Sequence, residues 1–314
     1  MKIMVTGGAG FIGSHLCDFL LAKKHQLTCV DNLITGRVKN IKHLLKNPSF
    51  KFIKMDVSTS KFKKFSAPLE VIFHLASPAS PVDYQNYPLR TLVTNSTGTL
   101  NTLEVAKNNK AKFLLASTSE VYGEPKIHPQ KESYWGNVNP IGLRSCYDES
   151  KRFAESLSIT YFRKYNLDVK IVRIFNTYGP RLRTDDGRVI SNFLSQAVQK
   201  KPLTVYGTGK QTRSFCFITD MVDGLFKTMF NKHTQGEVIN LGSQDEIQII
   251  KVAKLIQKLF PYKLPITFSH LPQDDPTRRR PDIKKAKRLL SWQPYVTLEN
   301  GLKKTIEYFK KEIS

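Results

Sequence analysis

The stretch Thr6-Gly7-Gly8-Ala9-Gly10-Phe11-Ile12-Gly13 constrains the fold of this chain more than any other. An apolar run at 3–6 leads into it, and an amphipathic segment at 12–23 follows it. Glycines at 7, 10 and 13 permit a sharp turn, close approach of the backbone to a ligand, and tight packing of helix on strand. The N–H groups at the helix start then face whatever the turn holds, and their partial positive charge suits a phosphate. A second run at 27–30 ends in Asp31, 18 residues beyond Gly13. Its carboxylate can accept hydrogen bonds from both ribose hydroxyls and would repel a 2′-phosphate. The expected cofactor is therefore NAD, held by Gly7, Gly10, Phe11, Ile12, Gly13 and Asp31.

Further apolar runs at 50–53, 71–74, 113–116 and 169–174 alternate with helix-like segments at 95–107 and 150–165. Such alternation predicts an α/β fold with a parallel sheet and helices on both faces. Beyond Pro180 the texture changes: helical pieces at 189–200, 220–230 and 249–260 are separated by loops bearing Pro and Gly. A smaller, mostly C-terminal α+β unit is expected there. The division read from the sequence is a cofactor unit at 1–180, to which 212–242 returns, and a substrate unit at 181–211 and 243–314. A chain of 314 residues, 40% of them hydrophobic, has enough apolar material for two such units.

Forty-nine Lys and Arg against 26 Asp and Glu give a net charge of +23. A surplus this large could draw nucleic acid, an anionic membrane surface or anionic small molecules. Most lysines stand singly or in pairs at polar helix positions, which fits solvated faces. The one dense cluster is Arg278-Arg279-Arg280 with Lys284, Lys285, Lys287 and Arg288. No run of 18 or more apolar residues occurs, so no membrane-spanning helix is expected. The chain opens on a strand-like run with no signal peptide, and Cys17, Cys29, Cys146 and Cys216 form no C-x-x-C pair. A cytoplasmic protein without disulfides or bound metal is the expectation.

Tyr147 and Lys151 form a Y-x-x-x-K pair, a spacing that also occurs at Tyr122–Lys126 and Tyr206–Lys210. The latter two are interrupted by Gly123 and Pro125, and by Gly207 and Gly209, so neither sits on a helix. Tyr147–Lys151 heads a helical segment, where residues i and i+4 stack on one face. An ammonium beside a phenol, with a nicotinamide cation nearby, favours the phenolate. Bringing a tyrosine from about 10 to about 7 takes roughly 4 kcal/mol of differential stabilisation, which two close cations in a dry site can supply. Tyr147 is thus the expected base for a sugar hydroxyl. Ser117-Thr118-Ser119-Glu120 follows the fifth run, where open parallel sheets bind ligands. Thr118 can hydrogen-bond the reacting hydroxyl, and Glu120 adds a carboxylate at the reacting carbon.

The glycine turn, Tyr147–Lys151 and the Thr118 turn together resemble the extended short-chain dehydrogenase/reductases of the NAD-dependent epimerase/dehydratase type. Longer strings resemble the UDP-glucuronate decarboxylases (UDP-xylose synthases) within that group. These are His74-Leu75-Ala76-Ser77-Pro78-Ala79-Ser80-Pro81, the stretch from Tyr134 to Gly142, Cys146-Tyr147-Asp148-Glu149, Asp185-Asp186-Gly187-Arg188-Val189, the segment from Tyr206 to Arg213, and Arg279-Arg280-Pro281-Asp282-Ile283. The resemblance implies a Rossmann-type doubly wound sheet, tightly held NAD, a UDP-sugar substrate and a homodimer. Carried over by position, Asn32, Asp56, Val57, Leu75, Ala76 and Ser77 join the NAD contacts, as do Tyr147 and Lys151. Thr118, Tyr147 and Lys151 become the hydride-step residues, with Ser119 and Glu120 facing the sugar. Asn176, Asn192, Arg213 and Arg279 hold the UDP end, and guanidinium forks suit its phosphates. Relatives with an N-terminal extension or membrane anchor differ from this chain, which argues against Golgi tethering.

Ser119 discriminates within the group, because the related 4,6-dehydratases carry Asp at this position. Expelling water from C6 needs a carboxylic acid to protonate a poor leaving group, and a serine hydroxyl is far too weak for that. Decarboxylation needs no such acid. Oxidation at C4 gives a β-keto acid, carbon dioxide leaves as a neutral molecule, and the electrons delocalise into the ketone. The expected activity is a lyase reaction, UDP-glucuronate to UDP-xylose through a 4-keto intermediate, with NAD regenerated in each cycle. A UDP-sugar 4-epimerase or 4,6-dehydratase is the alternative. A non-catalytic NAD-binding protein that puts its positive charge on nucleic acid is the third reading. The intact Tyr–Lys pair weighs against it, so no nucleic-acid partner is expected.

Overall fold

In the computed structural model, which describes residues 1–271, 273 and 275–313, the apolar runs become strands of one parallel sheet. They are β1 (Lys2–Thr6), β2 (Gln26–Asp31), β3 (Phe50–Lys54), β4 (Val71–His74), β5 (Lys112–Thr118), β6 (Val169–Ile174) and β7 (Val238–Leu241). Their order is β7-β6-β5-β4-β1-β2-β3, all neighbours parallel. Helices α1 (Phe11–Ala22), α2 (Thr99–Asn109), α3 (Ser145–Tyr165), α4 (Val189–Val198) and α5 (Ile218–Phe230) follow in chain order. Both faces of the sheet are covered, which is why its central strands read as continuous apolar runs and not as alternating ones. On one face Val5, Phe73 and Leu114 pack with Leu16 and Leu20 of α1 and Met221 and Leu225 of α5. On the other, Met4, Ile72 and Phe113 pack with Leu103 of α2 and with Ala154 and Tyr161 of α3. This is the doubly wound α/β sheet expected from the sequence.

The strand order reverses between β1 and β4, and a crevice opens beyond their carboxyl ends. Later residues form smaller sheets over that crevice. Thr212–Ser214 lies between Glu246–Gln248, which runs antiparallel to it, and Arg278–Arg279, which runs parallel. Arg213 and Arg279 are register partners in that small sheet.

Two elements differ from the sequence reading. β7 has only four residues, and the fully buried Asn240 within it breaks the apolar run, which a hydrophobicity pattern cannot score as strand core. That asparagine is satisfied by the Tyr122 hydroxyl at 2.8 Å and the Gln130 carbonyl at 3.0 Å. The helix expected at 150–165 begins at Ser145. Its first turn holds the polar Ser145, Tyr147 and Asp148, so periodicity alone misses it. Among the described residues no helix is long and apolar enough to cross a membrane.

Candidate active site

The glycine turn forms a cradle that no larger residue could build. Gly7 has φ of +72°, and a Cβ there would lie 2.8 Å from the Leu75–Ala76 backbone at the end of β4. A Cβ on Gly13 would lie 2.2 Å from the Gly7 carbonyl oxygen. Turn, strand end and first helical turn thus touch backbone to backbone, and the unpaired N–H groups of the α1 start face the crevice. Asp31 ends β2 nearby, its Oδ2 accepting from the Ala9 N–H at 3.0 Å and its Oδ1 from the Leu33 N–H at 2.8 Å. Burial raises its carboxyl, against those two N–H groups, and free lone pairs remain for ribose hydroxyls.

A cavity of about 610 Å³ runs from Asp31 along the strand ends to Arg213. Gly7, Gly10, Phe11, Ile12, Gly13, Asn32, Val57, Leu75, Ala76 and Ser77 line it at the glycine end. Thr118, Ser119, Glu120, Tyr147 and Lys151 line its middle, and Asn176, Asn192 and Arg213 its far end. These residues fit a dinucleotide next to a second ligand, so the donor set suits NAD. Asp56 stands behind the wall: its carboxylate accepts from Asn32 Nδ2 at 3.0 Å and from Ser58 Oγ at 2.6 Å. It can orient Asn32 but does not itself reach the cavity.

α3 stacks Tyr147 and Lys151 against the end of β5. The Tyr147 ring lies parallel to Tyr84, centroids 5.0 Å apart, and the Thr118 hydroxyl hydrogen-bonds its phenol. Burial pushes that phenol above its ordinary value, with Thr118 and Arg188 acting against burial. Lys151 Nζ donates to the Ala116 carbonyl at 2.9 Å, and burial brings the ammonium down to about 7. A further cation near the ring would therefore tip Tyr147 towards phenolate.

Beyond Tyr147 lies a knot of charge. Glu120 pairs with Arg144 and, at 3.2 Å, with Arg279 Nη2. Asp275 pairs with Arg213 at 2.9 Å and with Arg144 at 3.4 Å. Burial opposes ionisation of Glu120, yet Arg279, Arg144 and Arg213 hold it at about 2. Asp148, buried and facing Glu120, is pushed up to about 8. Three guanidinium groups thus meet two carboxylates, which leaves one positive charge for an anionic ligand. Among the described residues, Arg279 Nε and Nη1 and the Tyr84 hydroxyl are buried without a hydrogen-bond partner. Arg279 is buried against Glu120, whereas the sequence reading assigned it to the UDP end.

The sequence reading did not single out Tyr84, Arg144, Asp275 or the role of Arg188. All four line the cavity. Arg188 is held by both oxygens of Asp186 and lies near Tyr147. Its string, Asp185-Asp186-Gly187-Arg188-Val189, was available as a signal, whereas nothing local marks Arg144 or Asp275.

A model of the NAD dependent epimerase/dehydratase family matches residues 3–242. A Xenopus tropicalis protein named UDP-glucuronic acid decarboxylase 1 is 51% identical over 312 residues, covering 99% of this chain and 73% of its own length. UDP-glucuronic acid decarboxylase 4 of Arabidopsis thaliana is 50% identical over 313 residues, covering 100% of this chain and 69% of its own. Among solved structures, UDP-glucuronic acid 4-epimerase of Bacillus cereus, in complex with UDP-glucuronic acid and NAD, aligns with a TM-score of 0.90 at 33% identity. That alignment covers 99% of this chain and 100% of the epimerase.

Proposed function

The chain belongs to the NAD dependent epimerase/dehydratase family, and from that premise we propose that it decarboxylates UDP-glucuronate to UDP-xylose. The observation that carries the reading is the knot around Glu120. Its surplus of one guanidinium over two carboxylates sits beside Thr118 and Tyr147, where an anionic sugar nucleotide, held at its UDP end by Arg213, would balance it.

Bound in the crevice, NAD would supply the hydride acceptor for C4 of the sugar and the donor that restores it, so no net oxidation would result. Gly7, Gly10, Gly13, Asp31, Leu75 and Ala76 would hold it. Tyr147 takes the proton of the C4 hydroxyl, steadied by Thr118, and gives it back in the last step. Between those events the C5–carboxylate bond breaks, its electrons pass into the C4 ketone, and C5 gains a proton drawn from solvent. Ser119 and Glu120 face that carbon. Serine, in the place where a dehydratase needs a strong acid, leaves water elimination unassisted. Asn176, Asn192 and Arg213 hold the UDP end. Residues 1–180 with 212–242 serve the cofactor, and 181–211 with 243–314 serve the sugar nucleotide. The pairing of β7 with β6 at the sheet edge supports that division.

Incubation with UDP-glucuronate and NAD is expected to release carbon dioxide and leave a UDP-pentose. A C4 epimer that keeps its carboxylate would replace this reading with the 4-epimerase one, and untouched substrate would remove both.

The reading includes a cytoplasmic homodimer. Four unpaired thiols suit a reducing compartment. Helix Pro88–Val93 packs on α3, and the two expose Leu89, Leu92, Val93 and Phe153, an apolar face suited to a second copy. Leu89→Glu is expected to convert a dimer into a monomer by sedimentation, and an unchanged mass would remove this face as the interface.

A further inference from the structure

Behind Lys151 stands a buried ion pair that the reaction as described does not use. Tyr147, Lys151 and Glu155 follow one another at four-residue spacing on α3, so their side chains share the face turned to β5. Lys151 Nζ donates to the Ala116 carbonyl at 2.9 Å, and Ser117 Oγ donates to Glu155 Oε1 at 2.6 Å. Ammonium and carboxylate are thereby anchored to adjacent residues of one strand. Arg173 of β6 grips the carboxylate with two bonds, Nε to Oε1 at 2.9 Å and Nη2 to Oε2 at 2.7 Å. It is fixed in turn by the Tyr122 hydroxyl at 2.9 Å and the Glu132 carbonyl at 3.1 Å.

The groups around Lys151 come from four elements. α3 supplies Tyr147 and Glu155, β5 the Ala116 carbonyl, and β6 Arg173 behind Glu155. β4 supplies His74, held between the hydroxyls of Thr6 and Thr99 and kept neutral because burial lowers it to about 3. Tyr147 in turn faces Glu120, Arg188, Asp148 and Tyr84. Among the described residues Glu155 is the anion that acts on Lys151, opposing the burial that would discharge it. Arg173 cancels part of that field, yet its two bonds hold the buried carboxylate in place beside Lys151.

We propose that Glu155, clasped by Arg173 and Ser117, is a positioning residue for the proton-transfer step: it keeps Lys151 an ammonium and so governs how much of Tyr147 stands as phenolate. The inference rests on the roles given above to Tyr147 and Lys151. Its sign follows from the proton count. Removing the carboxylate weakens the hold of Lys151 on its proton. The pair at neutral pH then shifts from phenolate and ammonium towards phenol and amine. The doubly protonated pair also loses its first proton at lower pH.

The test compares NAD-loaded wild type, Glu155→Gln and Glu155→Asp. Its readouts are the pH–rate profile and the phenolate absorbance taken against the same proteins carrying Tyr147→Phe. For Glu155→Gln the acid limb is expected to move down by about one pH unit, with a plateau rate and phenolate signal about tenfold lower. Glu155→Asp should stay near wild type. The double variant Glu155→Gln with Arg173→Met leaves no unpaired guanidinium and covers the case where the single variant does not fold. An unmoved acid limb and an unchanged phenolate signal would overturn the inference. The absorbance reads Tyr147 without turnover, so a failure of the decarboxylase reading would leave this test standing.

Discussion

Replacing Tyr147 by Phe is expected to lower turnover of UDP-glucuronate by about a thousandfold while leaving NAD bound and the fold intact. The ring is buried, and its stacking on Tyr84 survives the change because phenylalanine keeps the same volume and shape. A swap that conserves volume in this way typically costs less than about 1.5 kcal/mol. What is lost is the oxygen proposed to take the C4 proton and its hydrogen bond with Thr118. General-base catalysis is worth roughly a hundredfold to ten-thousandfold, and neither Lys151 nor Glu120 is placed to replace it. Lys151 is tied to the Ala116 carbonyl, and Glu120 is locked between guanidinium groups at about 2, too weak a base for an alcohol. Carbon dioxide release and bound NAD should be measured on the same preparation. Release within tenfold of wild type would take the base role from Tyr147, and loss of NAD would show that the substitution acts on the fold.

The parts of this site that the sequence reveals are those built from neighbours in the chain. The glycine turn needs three glycines and a strand end within eight residues, and the Tyr147–Lys151 pair needs one helical turn. Both are local geometry, so spacing suffices. The knot around Glu120 has no such local origin. Arg144 comes from the residue before α3, and Arg213 and Arg279 meet as partners across a small sheet although they stand 66 residues apart in the chain. No pattern of residue types at fixed spacing encodes that encounter. Asp275 enters through an ion pair with Arg213 and would otherwise read as one more acidic loop residue. Asp56 is a different case: position suggests a cofactor contact, and its carboxylate also accepts from Asn32 and Ser58. Glu155 stands between these cases, since its spacing from Lys151 is visible but its clasp by Arg173 of β6 is not.

Substituting Gly13 by Ala is expected to weaken NAD binding by at least about a hundredfold, equivalent to about 2.7 kcal/mol. Helix propensity alone predicts the opposite sign for stability, because alanine in a helix is favoured over glycine by about 1 kcal/mol. The added methyl would lie 2.2 Å from the Gly7 carbonyl oxygen and 2.8 Å from the Gly8 Cα. Neither neighbour is a side-chain tip that can swing aside. Relief requires the turn and the start of α1 to separate, and that movement withdraws the N–H groups from the pyrophosphate. Gly10→Ala provides the graded control: its Cβ would stand 3.1 Å from the same carbonyl, a contact that a shift of a few tenths of an ångström removes. A loss of about tenfold is expected there. NAD content after purification and the affinity of stripped protein give the measurement. Gly13→Ala protein that binds NAD within threefold of wild type would mean that the close approach of turn and helix does not form the pyrophosphate cradle.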